Sequence, residues 1–527
     1  MKKRIKDFLG YLFVFLLSFI GGLLAFAAKW AVSSFGNISV DEIIFHLKVP
    51  LQGTDTGAVK AFAIQALIPA LIITGVFLTM HVLAGRKEGI LRRWRERDKK
   101  EVWLRMKKKT GEEKECLIVP VVFSKGAVLA LASLCCLFGI SYGARIIPVA
   151  DYVKRALHDS SFIQENYADP LSTAVTFPEK KRNLIYIYLE SMETSFMDEA
   201  HGGAVKVNYI PELTELAEEN ISFSSKSGDK FGGARMVTGT TWTMAGMFSQ
   251  TSGLPLKLPV RNNEMSHYEK FFPGVTTLGE ILEDAGYDNW LVLGSDITFG
   301  GRKAYFTQHG DYQYLDYITA LKDGLIPQGY KKFWGFEDRK LFQFAKEKAD
   351  ELSHGGKPFN MTLLTVDTHM PNGSRCSLCE KQYPTKYENA LSCSSRQVAD
   401  FVKWLKKQDF YKNTTVIISG DHISMARGFT DTAIPAGYQR QTYNCIINPP
   451  VKPAKEENRE FTNMDMFPTT LAALGCTIEG DRLGLGTNLF SERKTLLESV
   501  GIEKMDNELQ AGSKFYDSHF MYGKKDK

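Results

Sequence analysis

The sequence predicts an α/β protein in which an N-terminal helical transmembrane region precedes a mostly parallel β-sheet flanked by helices. Three long apolar segments within the first 150 residues indicate the membrane region. After residue 183, short apolar runs alternate with helical patterns, as in LIYIYLE followed by IPELTELAEEN. This alternation is typical of βαβ units, whose strands are parallel.

The three apolar segments span about residues 8–32, 61–84 and 121–144. Each is long enough to cross a hydrocarbon core of roughly 30 Å as a helix. Lys125 lies near the start of the third segment, where its aliphatic stem can reach the interface. A cleaved signal peptide is the alternative for the first segment, but that apolar run is too long and lacks a clear small-residue cleavage site. We therefore expect three retained spans in a membrane domain of residues 1–147.

Basic residues predict the orientation of these spans. The sequence MKKRIK precedes the first span, and a basic linker, residues 85–115, joins the second to the third. Because Lys and Arg concentrate on the cytoplasmic side of membrane proteins, both segments are predicted to be cytoplasmic and the chain after the third span extracytoplasmic. They also account for the formal net charge of +5. Without them the chain is slightly acidic, which argues against binding to nucleic acid.

The rest of the chain is predicted to form a tether and an extracytoplasmic domain. Residues 148–182 lack a clear periodicity, which suits a segment that leaves the membrane. Residues 183–527 then carry the alternating strands and helices. In sheets of this kind, ligands bind beyond the carboxyl ends of the strands.

Polar side chains end three of the predicted strands. Glu190 follows the first strand, Asp367 and His369 follow a later one, and Asp421 and His422 follow a third. Carboxylates and imidazoles are ligands for Zn²⁺ and Mn²⁺. Each residue also has an alternative role, because Glu190 suits the first turn of a helix and Asp421 with His422 suits a hydrogen-bonded loop. Together they predict a divalent metal site at one rim of the sheet.

A loop rich in Gly and Thr, within Gly232–Leu256, leads into a run that can form a helix. A hydroxyl in the first turn of a helix lies near unpaired N–H groups and the positive end of the helix dipole, which favours a bound phosphate. Metal coordination would lower the pKa of such a hydroxyl and make it a nucleophile. Thr240, Thr241 and Thr243 are the candidates, and the alternative is that they only cap the helix.

Four linked motifs carry a resemblance to a known family. In chain order, NLIYIYLES, GTTWTMAGMFSQTSGLPL, TVDTHMPNG and SGDH resemble the phosphoglycerol transferases of the alkaline phosphatase and sulfatase superfamily. The likeness is strongest to the enzymes that modify osmoregulated periplasmic glucans, and lipoteichoic acid synthases and lipid A phosphoethanolamine transferases are more distant. The likeness covers residues 183 to about 490 and implies a sulfatase-like or alkaline-phosphatase-like sheet.

The resemblance implies a metal site and a nucleophile. Its implied metal ligands are Glu190, Thr243, Asp421 and His422. The implied cofactor is at least one divalent ion, Mn²⁺ or Zn²⁺. Thr243 is the implied nucleophile, because a small residue, Gly246, follows it three positions on, as in the more distant relatives. Thr240 and Thr241 remain the alternatives.

The resemblance also implies residues that bind the substrate. His369 would donate to a phosphate oxygen or to the leaving group, and Arg302 would clamp two phosphate oxygens with its guanidinium fork. Gly300 stands where lipoteichoic acid synthases carry an aromatic residue, so the sequence departs from that pattern at the glycerol contact. His309 also matches the glucan enzymes, and its alternative role is that of a core histidine with one hydrogen bond.

The cysteines are consistent with an oxidising compartment. The resemblance implies a disulfide between Cys376 and Cys393 in the extracytoplasmic domain. Cys376 and Cys379 also form a C-x-x-C, for which a redox or metal pair is the alternative. Only one further cysteine lies nearby in the sequence, which disfavours a four-thiolate zinc site.

The activity implied by the resemblance is a phosphotransfer at the bacterial inner membrane, on its periplasmic face. Phosphatidylglycerol would donate glycerol phosphate through a phosphothreonine-type intermediate, diacylglycerol would leave, and an extracytoplasmic glycan such as a periplasmic glucan would be the acceptor. The alternatives are a phosphoethanolamine transferase, a phosphatase or phosphodiesterase of the same fold, or a membrane-tethered binding protein without catalysis. The complete ligand set favours an enzyme, and the membrane spans favour a lipid donor.

Overall fold

The computed structural model describes residues 2–35, 56–91, 101–107, 113–120, 125–147, 157–258 and 271–523, together with residues 40, 42–44, 152 and 154–155. The chain divides into two compact units. The first unit comprises residues 1–33 and 56–150, and the second comprises residues 34–55 and 151–527.

The first unit contains three helices that are long and apolar enough to cross a membrane, as the sequence predicted. They are Asp7–Phe35, Val59–Ala84 and Lys125–Ile146. The first span belongs to a helix of Lys2–Phe35. The second span runs from Thr56–Phe62 through a π-helical turn at Ala63–Leu67 into Ile68–Leu91.

The third helix begins at Lys125 rather than at residue 121, and residues 121–124 lie outside the described residues. Lys125 Nζ lies 2.8 Å from Asp7 Oδ1, so the two charges compensate each other near the helix ends. A Cβ added at Gly139 would lie 2.0 Å from Gly21 O. The first and third helices therefore approach through glycines, as is common between membrane helices.

The predicted basic linker, residues 85–115, contains regular structure. Strand Glu101–Lys107 pairs antiparallel with Glu113–Pro120. The dense charge of this segment obscures any alternation of apolar and polar residues, so these strands were not predicted from the sequence.

A six-stranded sheet forms the centre of the second unit. Its strands are β1 (Asn183–Leu189), β2 (Asp288–Leu293), β3 (Gln313–Leu315), β4 (Phe359–Leu364), β5 (Thr414–Gly420) and β6 (Asn444–Ile447). Their spatial order is β3-β2-β4-β1-β5-β6, and every neighbouring pair is parallel except β5 with β6. The prediction of a mostly parallel sheet is therefore confirmed.

Helices flank this sheet. They are α1 (Phe162–Asn166), α2 (Pro211–Glu219), α3 (Thr243–Ser252), α4 (Leu278–Asp284), α5 (Arg302–Gln308), α6 (Tyr317–Lys322), α7 (Asp338–Ser353), α8 (Lys386–Leu405), α9 (Arg427–Ala433), α10 (Met466–Ala473), α11 (Leu496–Val500) and α12 (Ile502–Gln510).

Strand β1 is buried along its whole length. Leu184 and Tyr186 belong to one hydrophobic core, whereas Ile185 and Ile187 belong to the other. Because both faces of the strand are covered, β1 reads in the sequence as a continuous apolar run and not as an alternating one. This rigid central strand fixes the position of the residue that follows it, Glu190.

Helix α3 is held against the carboxyl ends of β1 and β5. The Tyr186 hydroxyl donates to Gln250 Oε1 at 2.7 Å, and Gln250 Nε2 donates to Gly420 O at 3.1 Å. A Cβ added at Gly246 would lie 2.1 Å from Asp421 O, so only glycine allows this approach. Thr243, the first residue of α3, therefore lies beside the ends of two neighbouring strands.

Part of the predicted tether, residues 148–182, packs on the second unit. Phe162 and Ile163 in α1 are buried. Residues Val175–Thr176 pair with Thr477–Ile478 as a two-stranded sheet. The ordered part of this unit therefore begins before residue 183, because these short elements bury apolar side chains that have no clear sequence periodicity.

The implied disulfide between Cys376 and Cys393 is wrong. Cys379 forms the disulfide with Cys393 of α8, across a Cα–Cα distance of 5.1 Å. Cys379 N donates to Cys376 O in a turn. Within this turn, Cys376 Sγ lies 3.6 Å from Cys379 Sγ and keeps its thiol. The resemblance could not distinguish two thiols three residues apart, because the turn decides which of them faces α8.

We expect alkylation of the denatured, non-reduced protein to label Cys376 and to leave Cys379 and Cys393 unlabelled, because only Cys376 of these three is a thiol. Peptide mass spectrometry checks the labelling. Cys376→Ser should leave the bridge intact, and a bridged peptide that joins Cys376 to Cys393 would contradict the pairing.

Gly246→Ala is expected to lower the free energy of unfolding by about 1–3 kcal/mol, because the added methyl group must displace α3 from Asp421. Denaturant unfolding of the detergent-solubilised chain, followed by tryptophan fluorescence, measures the change. Gly428→Ala is the matched control, since a Cβ added at Gly428 in α9 meets no atom within 4 Å. The control should be neutral or stabilising by up to about 1 kcal/mol, and equal losses in both variants would contradict the close approach.

Candidate metal and catalytic site

The structure brings the four predicted metal ligands together at the carboxyl end of the sheet. Ligand atoms of Glu190, Asp421 and His422 lie within 4.8 Å of one another, and all three residues are buried. His422 Nε2 lies 3.5 Å from Glu190 Oε1 and 3.6 Å from Asp421 Oδ2. Thr243 Oγ1 donates to Glu190 Oε2 at 3.2 Å and lies 3.4 Å from His422 Nε2. Three strand and helix ends therefore present their polar atoms to one point.

Backbone and hydroxyl donors hold the two carboxylates in place. Ser191, with φ at 55°, donates its N–H to Asp421 Oδ1 at 2.8 Å and its hydroxyl to Glu190 Oε1 at 2.7 Å. The left-handed backbone at a non-glycine residue is strained, and such strain is often found at functional sites. Thr368 donates to Glu190 O at 2.5 Å, and Asn463 donates to Asp421 O at 2.8 Å.

The donor set fits a divalent cation. Asp421 Oδ1 accepts the N–H groups of Ser191 and His422, whereas Oδ2 is buried and has no hydrogen-bond partner among the described residues. His422 Nδ1 donates to Ile423 O at 2.8 Å, which directs Nε2 towards the carboxylates, where it could bind a cation once it has lost its proton. Each ligand therefore presents an atom that a cation could use, and the carboxylate, imidazole and hydroxyl set suits Zn²⁺ or Mn²⁺.

Burial and mutual charge shift the pKa values of these ligands. Burial raises the pKa of Asp421 to about 7, which Glu190 reinforces and His422 opposes. Burial alone would raise the pKa of Glu190, but electrostatic interactions with His369 and His422 and a hydrogen bond from His422 lower it to about 2. Burial alone would lower the pKa of His422, but Asp421 and Glu190 raise it to about 10. Protons thus balance the carboxylates in the absence of a cation.

The three candidate threonines have different surroundings. Thr243 lies at the first position of α3 and contacts Glu190 and His422. Thr240 is fully buried, and its Oγ1 donates to Val237 O at 2.8 Å and accepts Val237 N at 3.1 Å. Thr241 makes no side-chain hydrogen bond within the described ranges. Only Thr243 of the three contacts the ligand cluster.

Arg302 and His369 each present a donor beside this cluster. Arg302 is buried, and its Nε and Nη2 donate to Phe299 O and Asp296 O at 3.0 and 2.9 Å. Burial lowers the pKa of Arg302 to about 10, although nearby charges, Glu190 among them, oppose this. His369 Nδ1 donates to Met370 O at 2.9 Å. Arg302 Nη1 and His369 Nε2 have no hydrogen-bond partner in the part of the chain that the structure describes.

Two further predicted positions differ in their surroundings. A Cβ added at Gly300, with φ at 67°, would lie 3.9 Å from Met244 Cβ and would meet no other atom within 4 Å beyond its chain neighbours, among the described residues. His309 is buried and its Nε2 lies 2.6 Å from Phe271 O, which agrees with the alternative role of a core histidine.

Sequence reasoning did not identify several residues that organise the site. Ser191 is adjacent to Glu190 in the sequence, yet its role depends on a left-handed conformation that the sequence does not indicate. Asn463 follows β6 by many residues and reaches Asp421 only in the folded chain. Trp334 lies in a loop before α7, and its ring centroid is 4.8 Å from that of His369.

Comparison with known proteins identifies similar sequences. A family model described as Sulfatase matches residues 182–476, which is more than half of the 527-residue chain. Phosphoglycerol transferase I of Escherichia coli O6:K15:H31 (strain 536 / UPEC) is 34% identical over 256 residues, which cover 47% of this chain and 32% of that protein. The chain therefore spans about a third of the length of the curated relatives that it matches.

Two solved structures are also similar to this chain. A protein in the alkaline phosphatase superfamily from Vibrio parahaemolyticus is 24% identical with a TM-score of 0.48, over 61% of this chain and 72% of that one. The lipoteichoic acid synthase LtaP from Listeria monocytogenes is 17% identical with a TM-score of 0.46, over 63% of this chain and 81% of that one.

Glu190→Gln and Asp421→Asn are each expected to weaken the binding of Mn²⁺ or Zn²⁺ by about tenfold or more, because each removes a charged ligand. Elemental analysis and isothermal titration of the metal-stripped, full-length protein measure occupancy and affinity. Glu388→Gln is the control, because Glu388 is a buried carboxylate in a capping box, where glutamine also serves. Metal affinity that is equal in all three variants and the wild type would contradict the assignment.

Proposed function

We propose, on the basis that this chain belongs to the sulfatase family as its motifs predicted, that it is a membrane-anchored, metal-dependent phosphoglycerol transferase. It moves glycerol phosphate from phosphatidylglycerol to an extracytoplasmic glycan, such as a periplasmic glucan, and releases diacylglycerol. One observation carries the proposal: the Thr243 hydroxyl contacts both Glu190 and His422 in a buried ligand cluster at a helix N-terminus.

The proposed ligands of the divalent ion are Glu190, Thr243, Asp421 and His422. When bound, the ion lowers the pKa of the threonine hydroxyl and stabilises negative charge on phosphate oxygens. The Thr243 hydroxyl donates to Glu190 Oε2 at 3.2 Å, so this carboxylate orients the attacking oxygen. The cluster thus supplies the nucleophile and holds its oxygen in place.

The proposed reaction proceeds in two displacements. In the first, Thr243 Oγ1 forms a bond to phosphorus, the bond from phosphorus to the diacylglycerol oxygen breaks, and that oxygen takes a proton. In the second, an acceptor hydroxyl loses its proton as it attacks phosphorus, the bond from phosphorus to Thr243 Oγ1 breaks, and Thr243 Oγ1 regains a proton. Phosphoglycerol is therefore esterified to the threonine between the two steps.

The other proposed contacts position the phosphate. The N–H groups in the first turn of α3 favour an anion next to Thr243. Arg302 Nη1 can donate to a phosphate oxygen, and His369 Nε2 can donate to another oxygen or to the leaving group. Both donors are preorganised, because the remaining nitrogens of each side chain are held by backbone carbonyl groups.

The membrane spans and the similarity to known proteins support a lipid donor. Three helices long and apolar enough to cross a bilayer would keep the site near phosphatidylglycerol. With the basic linker in the cytoplasm, the catalytic domain faces the periplasm of a bacterial inner membrane. The name of the curated relatives, phosphoglycerol transferase I, supports this headgroup over phosphoethanolamine.

Thr243→Ala is expected to abolish transfer of the labelled headgroup from phosphatidylglycerol to a glycan, because it removes the attacking oxygen. Vesicles containing the full-length protein and headgroup-labelled lipid provide the assay, with diacylglycerol and labelled glycan as products. Mass spectrometry of quenched wild type should detect phosphoglycerol on the peptide that contains Thr243.

Thr241→Ala is the control for this experiment, because Thr241 lies in the same loop and makes no side-chain hydrogen bond to the cluster among the described residues. It should retain transfer. Undiminished transfer by Thr243→Ala would remove the proposed nucleophile, and release of free glycerol phosphate without any labelled glycan would identify a hydrolase instead.

A further inference from the structure

A tight turn with two aromatic residues at its tip lies beside the candidate site. We call Lys332–Gly335 the aromatic turn. Lys332 N donates to Gly335 O at 2.6 Å, and Gly335 N donates to Lys332 O at 3.1 Å. Phe333 and Trp334 occupy the two central positions, and Phe333 has φ at 58°. A bulky residue in this conformation is strained, so the surrounding structure must hold the turn in place.

The aromatic turn is fixed to the carboxyl end of β2. Phe336 N donates to Gly294 O at 2.8 Å, and Ser295 pairs with Gly335 as an antiparallel bridge. A Cβ added at Gly335 would lie 2.0 Å from Gly294 O, and one added at Gly294 would lie 2.1 Å from Phe336 O. These backbone contacts are too close for any other residue type. The turn is therefore a rigid part of the rim that carries the site.

Trp334 connects the two side chains that are proposed to bind phosphate. Its ring centroid lies 4.8 Å from that of His369 and 5.2 Å from that of Phe299. The guanidinium carbon of Arg302 lies 5.5 Å from the centroid of the same Phe299 ring. Trp334 is half-buried, and its Nε1 has no hydrogen-bond partner among the residues described. It therefore offers a flat apolar face and one available donor between the Arg302 guanidinium and the His369 imidazole.

Cations already lie over both phenylalanine rings of this region. Arg302 is over Phe299, and Lys386 Nζ lies 5.9 Å from the centroid of Phe333. The Phe333 ring is in turn 6.1 Å from the His369 ring. One face of each phenylalanine ring is thus occupied, and the positive charges of Arg302 and Lys386 repel a further cation in this region. The region suits a neutral group with hydroxyls.

We propose that Trp334 is the wall against which the alcohol part of the transferred headgroup rests, and that Arg302 and Lys386 make this wall select a neutral polyol over an ammonium-bearing headgroup. The C–H groups of a short polyol contact the indole face, and a hydroxyl accepts the Nε1 hydrogen. This inference rests on the proposed function and names the substrate class of the same site. It also accounts for the open space at Gly300, because the aromatic wall comes from a different loop.

The test compares two lipid donors in matched vesicles containing the full-length protein. One set contains phosphatidylglycerol and the other phosphatidylethanolamine, and diacylglycerol release gives kcat/KM for each. Wild type should prefer phosphatidylglycerol. Trp334→Leu should lower kcat/KM for phosphatidylglycerol by about tenfold, mainly through KM, because it removes a contact of about 1.4 kcal/mol made in both ground and transition states.

Lys386→Glu tests the electrostatic part of the proposal. It should raise kcat/KM for phosphatidylethanolamine relative to phosphatidylglycerol by about threefold at low salt, and the change should shrink at high salt because Lys386 is exposed. Trp404→Leu is the matched control. Trp404 is also half-buried, but it packs against Phe401 and Phe410 near the end of α8, away from the site, and neither ratio should change.

Three results would overturn the inference: an unchanged KM for phosphatidylglycerol in Trp334→Leu, an increase in KM for the glycan acceptor alone, or a donor ratio that Lys386→Glu does not alter. A binding measurement separates this failure from failure of the proposed function. Titration of glycerol phosphate and phosphoethanolamine into Thr243→Ala protein needs no turnover. If Thr243→Ala protein binds glycerol phosphate more tightly than phosphoethanolamine, and adding Trp334→Leu removes that preference, the result would support the wall. This would hold even if the wild type transferred neither headgroup.

Discussion

Two carboxylates and an imidazole are buried together at the end of a sheet, and their mutual charge is the constraint on which the rest of the site depends. Burying Glu190 or Asp421 alone would be costly, because an unpaired charge loses its hydration. Here backbone amides and the Ser191 hydroxyl satisfy three carboxylate lone-pair directions, and His422 balances the negative charge. Of the four carboxylate oxygens of Glu190 and Asp421, only Asp421 Oδ2 is buried without a hydrogen-bond partner among the described residues, so it is available to the proposed ion.

Close backbone contacts carry the functional side chains to this cluster. Gly246 lets α3 reach Asp421, and Gly420 lets β5 approach Met192, whose carbonyl oxygen would lie 2.1 Å from an added Cβ. Gly294 and Gly335 do the same for the aromatic turn. Loops after parallel strands carry the chemistry because the sheet holds them rigidly and leaves their side chains accessible. The loop after β4 follows this arrangement too, since it contains His369 and the disulfide partner Cys379.

The parts of the site differ in how far the sequence could reveal them. Glu190, Asp421 and His422 ended apolar runs whose strand character was clear, so their convergence followed from the rule for parallel sheets. The sequence could not distinguish Thr243 from Thr240 as the candidate nucleophile. The structure distinguishes them, because the Thr240 hydroxyl is engaged by the backbone of Val237. The predicted partner of Cys393 was wrong, because the turn of four residues from Cys376 to Cys379 decides which thiol faces α8. Trp334 gave no local signal, since its position depends on a turn that packs against β2.

Local properties were sufficient for the three membrane helices, the alternation of strands and helices, and the polar residues at strand ends. Each of these arises from the character of neighbouring side chains and from the periodicity of one element, and both are visible in a linear chain. Only the tertiary structure determined which groups donate to Asp421 Oδ1 and which thiol forms the disulfide with Cys393. It also determined the contact between Trp334 and His369. These contacts form between separate segments of the chain. They depend on how precisely folding places those segments against one another, which no local sequence pattern encodes.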